Sequence, residues 1–410
     1  MKQFCMKLTI GAALTLAFAL VGSLDIPPTR HAQLADAAGA CPINVRDNGS
    51  TTLQAIREAA KPIFEAAWAP GTTVTQTFNG SGNGIADLTA GNADEAGSSR
   101  PVKFSTGETT GKYVWQVAQD SFVMGVHNSP AMAFLSTPDR ISGPPSGLTI
   151  QNLTQIYNAG AGISTLFWDQ LVGAGPSWPH SLIVPRMRIT GSGSRPDFDA
   201  AISVPDANEN ATNIATNLPR LPESFDMAEQ VSLNDNQIAY TSLSQISNHL
   251  NMLVVAINGL IPTVNNVPSY AMPRRLFITT RDKTLVNRID NSAQVRADDW
   301  INFLRSPAGD ALIAQDGYPT IPAANVPPIP DWDVNLDGTT SLGDLGAVAA
   351  RWGQTGCKGW IRADVNNSAG VSLGDIGGVT SHWGQDGLIC DGVAGPTDGF
   401  NPGTHNCQHG

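Results

Sequence analysis

The sequence predicts an α/β body followed by a small all-α tail. Three observations carry that expectation. Helical and strand-like patterns alternate from about residue 41 to 323, a proline-rich stretch, "IPAANVPPIPDW", closes this region at residues 321–332, and the acidic segment beyond it repeats itself. Alternation of the two hydrophobic periods is what α/β layering requires. The chain has 410 residues, 41% hydrophobic and 14% charged, enough for two or three compact units of roughly 100–200 residues each.

The elements follow in order. The N-terminus reads as an export signal: Lys2 and Lys7 precede the apolar run "LTIGAALTLAFALVGSL", and Ala35-Asp36-Ala37 offers a cleavage site. The run is shorter than the ~20 residues of a usual membrane span, so residues 1–37 are expected to be removed and the protein to be periplasmic or at the cell surface. Three cations and two anions leave with this leader, so the formal net charge of −11 becomes −12. That excess argues against nucleic acid or an anionic membrane as a broad-surface partner. Cys41, Cys357, Cys390 and Cys407 remain, an even number that favours disulfides in an exported chain and leaves three pairings open. "HNCQH", with His405, Cys407 and His409, lacks a fourth ligand for a metal.

In the body, "LQAIREAAKPIFEAAW" places Leu53, Ile56, Ile63, Phe64 and Trp68 on one helical face, and "TTVTQTFNG" is strand-like. "NGIADLTAG" predicts a short helix, "ADEAGSS" a short strand, "SLIVPRMRI" a strand, and "VRADDWINFLRSPAGDALIAQDG" a helix with breaks.

Four turns combine glycine with small hydroxyls: "DNGSTTL", "NGSGNGI", "AGSSRP" and "TGSGSR", the last preceded by Arg188. The first N–H groups of a helix lack internal partners and carry partial positive charge. Glycine admits a ligand close to that backbone, and Ser or Thr adds a short donor, which makes such a turn an anion site. An arginine adds a forked pair of charge-assisted bonds. One such turn alone is an ordinary cap; four in one body, two with an arginine, are more than capping needs.

In this order and spacing, "GSTTL", "GSGNGI", "SSRPV" and "RITGSGSRPDF" resemble the motifs of the PstS-like phosphate-binding proteins of ABC transporters. "NQIAYTSL", "RRLFITTRD" and "WINFLRSPAGDALIAQDGYPTIP" extend the similarity over about 280 residues. The resemblance implies a two-lobed type II periplasmic-binding-protein fold. Lobe 1 would take about 41–125 and 261–323, lobe 2 about 126–260, with an anion held between them. It also implies ligand contacts from Thr51, Thr52, Ser81, Ser99, Arg188, Ser192, Gly193 and Ser194, with Arg100 and Arg195 lining or bracing the cleft. The chain departs from the family pattern where acidic residues are common, at Ser99 and Thr190. A carboxylate there would accept the proton of phosphate and repel sulfate; Asp94 or Glu95 could stand in. Phosphate is the expected ligand, with sulfate or another tetrahedral oxyanion left open.

The tail repeats "DVNLDGTTSLGDLGAVAARWGQ" as "DVNNSAGVSLGDIGGVTSHWGQ", 31 residues later, with 12 of 22 positions identical. Asp333, Asn335, Asp337 and Asp344 occupy positions 1, 3, 5 and 12 of a calcium loop with Gly338 at its sharp turn. The second loop offers Asp364, Asn366, Ser368 and Asp375, with Ala369 where the glycine should be. Two loop–helix units of this kind resemble the type I dockerin domain, placed at 333–390 after a linker at 324–332 and before a C-terminal tail at 391–410. That resemblance implies calcium and a cohesin-like partner.

The expected function is an exported oxyanion-binding protein, with an ABC-transporter permease as a further candidate partner. The alternative is an extracellular scaffold or adhesion protein that keeps the fold without transport. No enzyme is expected: the sequence carries no "HE..H" and no "G.S.G" elbow, and His127, His180 and His249 are scattered.

Overall fold

The computed structural model describes residues 42–103, 106–135, 147–158, 166–189, 192–204, 220–247, 249–266, 270–282, 286, 291–321, 329–356 and 360–385. The expected signal segment, all four mature cysteines, Thr190 and the residues after 385 lie outside them.

Two sheets organise the body. The first takes β1 (Ile43–Gly49), β2 (Thr72–Thr77), β3 (Glu95–Ser98) and β4 (Lys112–Ser121) from the first third of the chain. The second holds β5 (Val123–His127), β6 (Val184–Pro185), β7 (Gln237–Thr241) and β8 (Met252–Val254). The chain then returns to the first sheet with β9 (Pro273–Arg281), giving strand orders β2-β1-β3-β9-β4 and β6-β7-β5-β8. β1 runs parallel to β2 and β3, so their carboxyl ends lie at one edge, while β9 is antiparallel to β3 and β4.

Helices α1 (Gln54–Ile63), α2 (Ser81–Ala90), α3 (Ile150–Asn158), α4 (Ser194–Ala201), α5 (Ser224–Val231), α6 (Leu243–Ser247), α7 (Ser292–Leu304) and α8 (Pro307–Gln315) complete the body. The first of these is entered through a 3-10 turn at Thr51–Leu53. Pro62, which has no N–H to donate, precedes a widened π turn at Phe64–Trp68. Of the expected face Leu53, Ile56, Phe64 and Trp68 enter the core, where Phe64 meets Trp300 edge-on at 4.9 Å, and Ile63 is half-buried against it. Pro307 opens α8 after a cap by Ser306, which accounts for the break expected in "LRSPAG".

Two expectations change. "SLIVPRMRI" forms a bridge from Leu182 to Phe167, the two-residue β6 and a bridge from Arg188 to Leu221; the Val184 and Arg186 amides bond to Asn236 and Ile238, and Pro185 between them, with no N–H, faces the open edge of the sheet. The crossings between sheets fall at Phe122 and Met272, against the divisions near 125 and 260 read from sequence. Tyr270 and Met272 pack in the core of the second sheet, so the return strand starts only at Pro273. That second core is aromatic, with Phe198 stacked on Tyr240 at 3.9 Å.

The tail carries α9 (Leu342–Ala349) and α10 (Leu373–Ser381), each entered through a serine capping box, around a small core of Val334, Val348, Val371 and Val379. It is seated on the body. Asn302 of α7 brackets Ile329, accepting from its N–H at 2.9 Å and donating to its carbonyl at 2.9 Å. Arg362, fully buried, donates to Asp298 of α7 and to the carbonyls of Pro330 and Asp333. Leu336, held at φ 56° inside the first acidic loop, is packed in the core of the first sheet. The end of the expected linker is therefore fixed to the body, because Ile329 and Leu336 on either side of it are packed in the core of the first sheet. Among the described residues no helix is long and apolar enough to cross a membrane.

Candidate functional site

Three helix N-termini meet where the two sheets face each other. β1 ends in Gly49, and the chain turns through Ser50 into the 3-10 turn at Thr51. β2 leads through Gly80 into α2 at Ser81, and β3 ends one residue before Ser99. Each of these hydroxyls therefore sits just past the carboxyl end of a parallel strand, where open α/β sheets place ligands. The glycines allow this convergence. Gly49, at φ 116°, lies against Gly97, and a Cβ on Gly84 would stand 2.4 Å from the Gly49 Cα. From the second sheet come Arg188, beyond β6, and Ser194 at the first turn of α4.

Direct contacts join the two halves. Arg188 donates from Nη2 to Thr51 Oγ1 at 3.0 Å and to the Pro222 carbonyl at 2.5 Å, and from Nη1 to Ser224 Oγ at 2.6 Å. Ser99 Oγ lies 3.2 Å from both Ser81 Oγ and Ser194 Oγ, and the Ser99 amide donates to Ser81 Oγ at 3.1 Å. Gly193 rests on Ser81: a Cβ there would come within 2.3 Å of its Oγ and 2.5 Å of its Cβ. Thr51, Ser81, Ser99, Arg188, Gly193 and Ser194 are thus brought together where the two sheets meet. Thr52 and Ser192 are buried beside them.

The electrostatics favour an anion. Arg188 is buried, with hydroxyls and a carbonyl as its partners and no carboxylate in ion-pair range among the described residues. Burial pushes its guanidinium down to about 10. Its Nε, Ser192 Oγ and Thr52 Oγ1 are buried with no hydrogen-bond partner among the described residues. Buried donors are normally satisfied, so three beside one cationic group are what a tetrahedral oxyanion would complete.

The other arginines are neutralised. Arg100 forks onto Glu108 at 2.7 Å, and Arg195 lies 3.5 Å from Asp199 and donates to the Arg188 carbonyl. The acidic substitutes considered from sequence point elsewhere. Asp94 holds Arg46 and Arg281, and Glu95 binds Arg57 at 2.9 Å inside the first sheet. Neither stands at the Ser99 cluster: Asp94 precedes β3 and Glu95 opens it, before the turn. Sequence reasoning missed Arg274, which donates to Ser194 Oγ at 3.0 Å and to Asp120 Oδ2 at 2.7 Å. It also missed Ser224. Arg274 gave little signal, being one of three arginines in β9.

In the tail, carboxylate oxygens of Asp333, Asp337 and Asp344 lie within 4.8 Å of one another. Burial first, then the charges of Asp333 and Asp337, push the Asp344 carboxyl up. Asp344 also accepts from the Asn335 and Ser341 amides, and Asn335 Oδ1 accepts from the Asp337 amide. The second loop repeats these turns around Asp364 and Asp375, with Asn366 and Ser368 alongside. It has two carboxylates instead of three, and Ala369 is forced to φ 75° where the first loop has glycine.

The family model described as the PBP superfamily domain matches residues 36–306. The chain belongs to the PBP superfamily. Its PBP domain shares its fold with two solved proteins. One is a phosphate ABC transporter substrate-binding protein from Clostridium perfringens with bound phosphate, 21% identical, covering 68% of this chain and 100% of that one at a TM-score of 0.54. The other is an ABC-type phosphate transport receptor from Vibrio cholerae, 21% identical, with coverage of 68% and 100% and a TM-score of 0.50. No curated protein matches the chain.

Proposed function

We propose that this PBP-superfamily protein is an exported receptor for phosphate or a similar tetrahedral oxyanion, which it holds in the cleft between its two lobes. The observation that carries the reading is Arg188: a buried guanidinium with no carboxylate partner among the described residues, set among helix N-termini and unsatisfied hydroxyls. The ligand accepts from Arg188 and from Thr51, Thr52, Ser81, Ser99, Ser192 and Ser194, while Gly193 keeps the second lobe close enough for its amides to take part. The Clostridium and Vibrio proteins of the same fold, named for phosphate transport, support phosphate as ligand and an ABC permease as recipient.

The tail is, on this reading, a dockerin-like attachment module for a cohesin-like partner. Its first loop fits calcium: three carboxylates and an amide oxygen converge, and a hard cation prefers six to eight such oxygens. Asp333, Asn335, Asp337 and Asp344 would hold this ion. Asp364, Asn366, Ser368 and Asp375 would hold a second with fewer charges. Calcium would supply the positive centre that lets these acids lie together.

Isothermal titration of the full mature chain with phosphate tests the receptor reading. Saturable heat with one site per chain supports it. A ligand present at a thousand times its Kd also stabilises the fold by about 4 kcal/mol, which melting curves would register. Absence of both effects with phosphate, sulfate and other oxyanions would remove the proposal.

A further inference from the structure

Among the described residues no carboxylate contacts Arg188, Ser81, Ser99 or Ser194, and that bears on which tetrahedral ion the site takes. Building on the oxyanion-receptor reading, we propose that the site does not select for a protonated ion and binds sulfate about as tightly as phosphate.

Monohydrogen phosphate carries one O–H that must find an acceptor once buried; sulfate carries none. Selection against sulfate needs a carboxylate that takes that proton and repels an unprotonated oxygen. Among the described residues, the carboxylates nearest these groups are committed to cations or to capping. Asp94 is on Arg46 and Arg281, Glu95 on Arg57, and Glu108 on Arg100. Asp120 reaches the cluster only through Arg274, whose Nε and Nη2 both face it. Asp226 takes the Glu223 amide, and both cap the start of α5.

The hydroxyls cannot make this distinction. Ser81 Oγ accepts from the Ser99 amide and Ser194 Oγ from Arg274 Nη1, and both lie 3.2 Å from Ser99 Oγ. Each hydroxyl has one proton and two lone pairs. Ser99, and Thr52 and Ser192, whose hydroxyls have no partner among the described residues, can turn a proton to an oxygen of sulfate or a lone pair to the O–H of phosphate. A neutral hydroxyl satisfies either ion and does not repel an unprotonated oxygen as a carboxylate does.

The test is titration of the full mature chain with sulfate and with phosphate in the same buffer, for the wild type and for Ser99→Asp and Ser99→Asn. Two Kd values within about tenfold of each other in the wild type support the proposal. Ser99→Asp should weaken sulfate by at least about a hundredfold more than phosphate, because it installs the missing carboxylate. Ser99→Asn, of the same shape but with an amide donor, should keep sulfate. Phosphate bound more than tenfold tighter than sulfate by the wild type overturns the selectivity argument and leaves the receptor reading standing. Sulfate binding that survives Ser99→Asp in a folded variant overturns it too. If neither ion binds the wild type, the receptor reading fails first and this inference with it. Circular dichroism confirms that each variant is folded; should Ser99→Asp not fold, the wild-type ratio decides alone.

Discussion

Arg188→Met separates a ligand-binding arginine from a structural one. Methionine keeps much of the length and the apolar stem and removes the charge. In the folded protein burial pushes the guanidinium from its ordinary 12.5 down to about 10. At 1.36 kcal/mol per unit, that is a cost of about 3 kcal/mol for the charged form at pH 7. The substitution removes this cost but strands the Thr51 and Ser224 hydroxyls and the Pro222 carbonyl, now bonded to Arg188, at about 1 kcal/mol each. The two effects nearly cancel. Without ligand the variant should melt within about 3 °C of the wild type, at roughly 2–4 °C per kcal/mol. Phosphate affinity should fall by roughly a hundredfold or more, since an aligned buried charge contact is worth 2–5 kcal/mol on truncation. The assay is scanning calorimetry in oxyanion-free buffer beside isothermal titration with phosphate. A structural strut behaves otherwise: breaking a satisfied buried ionic contact costs about 3–5 kcal/mol. A ligand-free melting temperature lowered by more than about 6 °C, or unchanged phosphate affinity, would refute the reasoning.

Gly193→Ala places a methyl within 2.5 Å of the Ser81 Cβ, so the lobes must part at the cleft; phosphate affinity should drop at least about tenfold and stability by about 1–3 kcal/mol, read by titration and urea unfolding. Asp316 is pushed up to about 6, by burial first and by the charge of Asp120 second. Its folded pKa lies above the unfolded one, so its contribution is full below about pH 4 and is lost as pH rises through 6. Asp316→Asn should therefore stabilise the protein at pH 7.5 by about 1 kcal/mol, discounted for partial exposure, and give no gain at pH 4; urea midpoints at both values check this. Calcium should raise the melting temperature, and Asp333→Ala should abolish that rise; an unchanged response in the variant contradicts the metal assignment.

The sequence disclosed those parts of the site that are local. Thr51, Ser81, Ser99 and Ser194 each sit in a short glycine–hydroxyl turn, and the chemistry of such a turn is contained in a few neighbouring residues. Arg188 was legible because it stands a few residues before one of them. Arg274 and Asp120 were not, since their pairing depends on β9 lying against β4, more than 150 residues apart in the chain. The same distance hid the direction of Asp94 and Glu95, whose arginine partners come from β1, α1 and β9. Nor did the pattern show that "SLIVPRMRI" would pair in three separate pieces. Leu336 was hidden for a different reason: in a metal loop it reads as a spacer between ligands, and only the body packed beneath explains why it is leucine.

Leu336 and Arg362 also decide what attachment would mean for this molecule. A tail on a slack tether would leave the receptor to tumble about its anchor, with the mouth of the cleft facing any direction. Here the duplicated unit is keyed into the first lobe by an apolar plug and a buried cation. Whatever grips the tail would therefore grip the first lobe as a bracket grips a lamp.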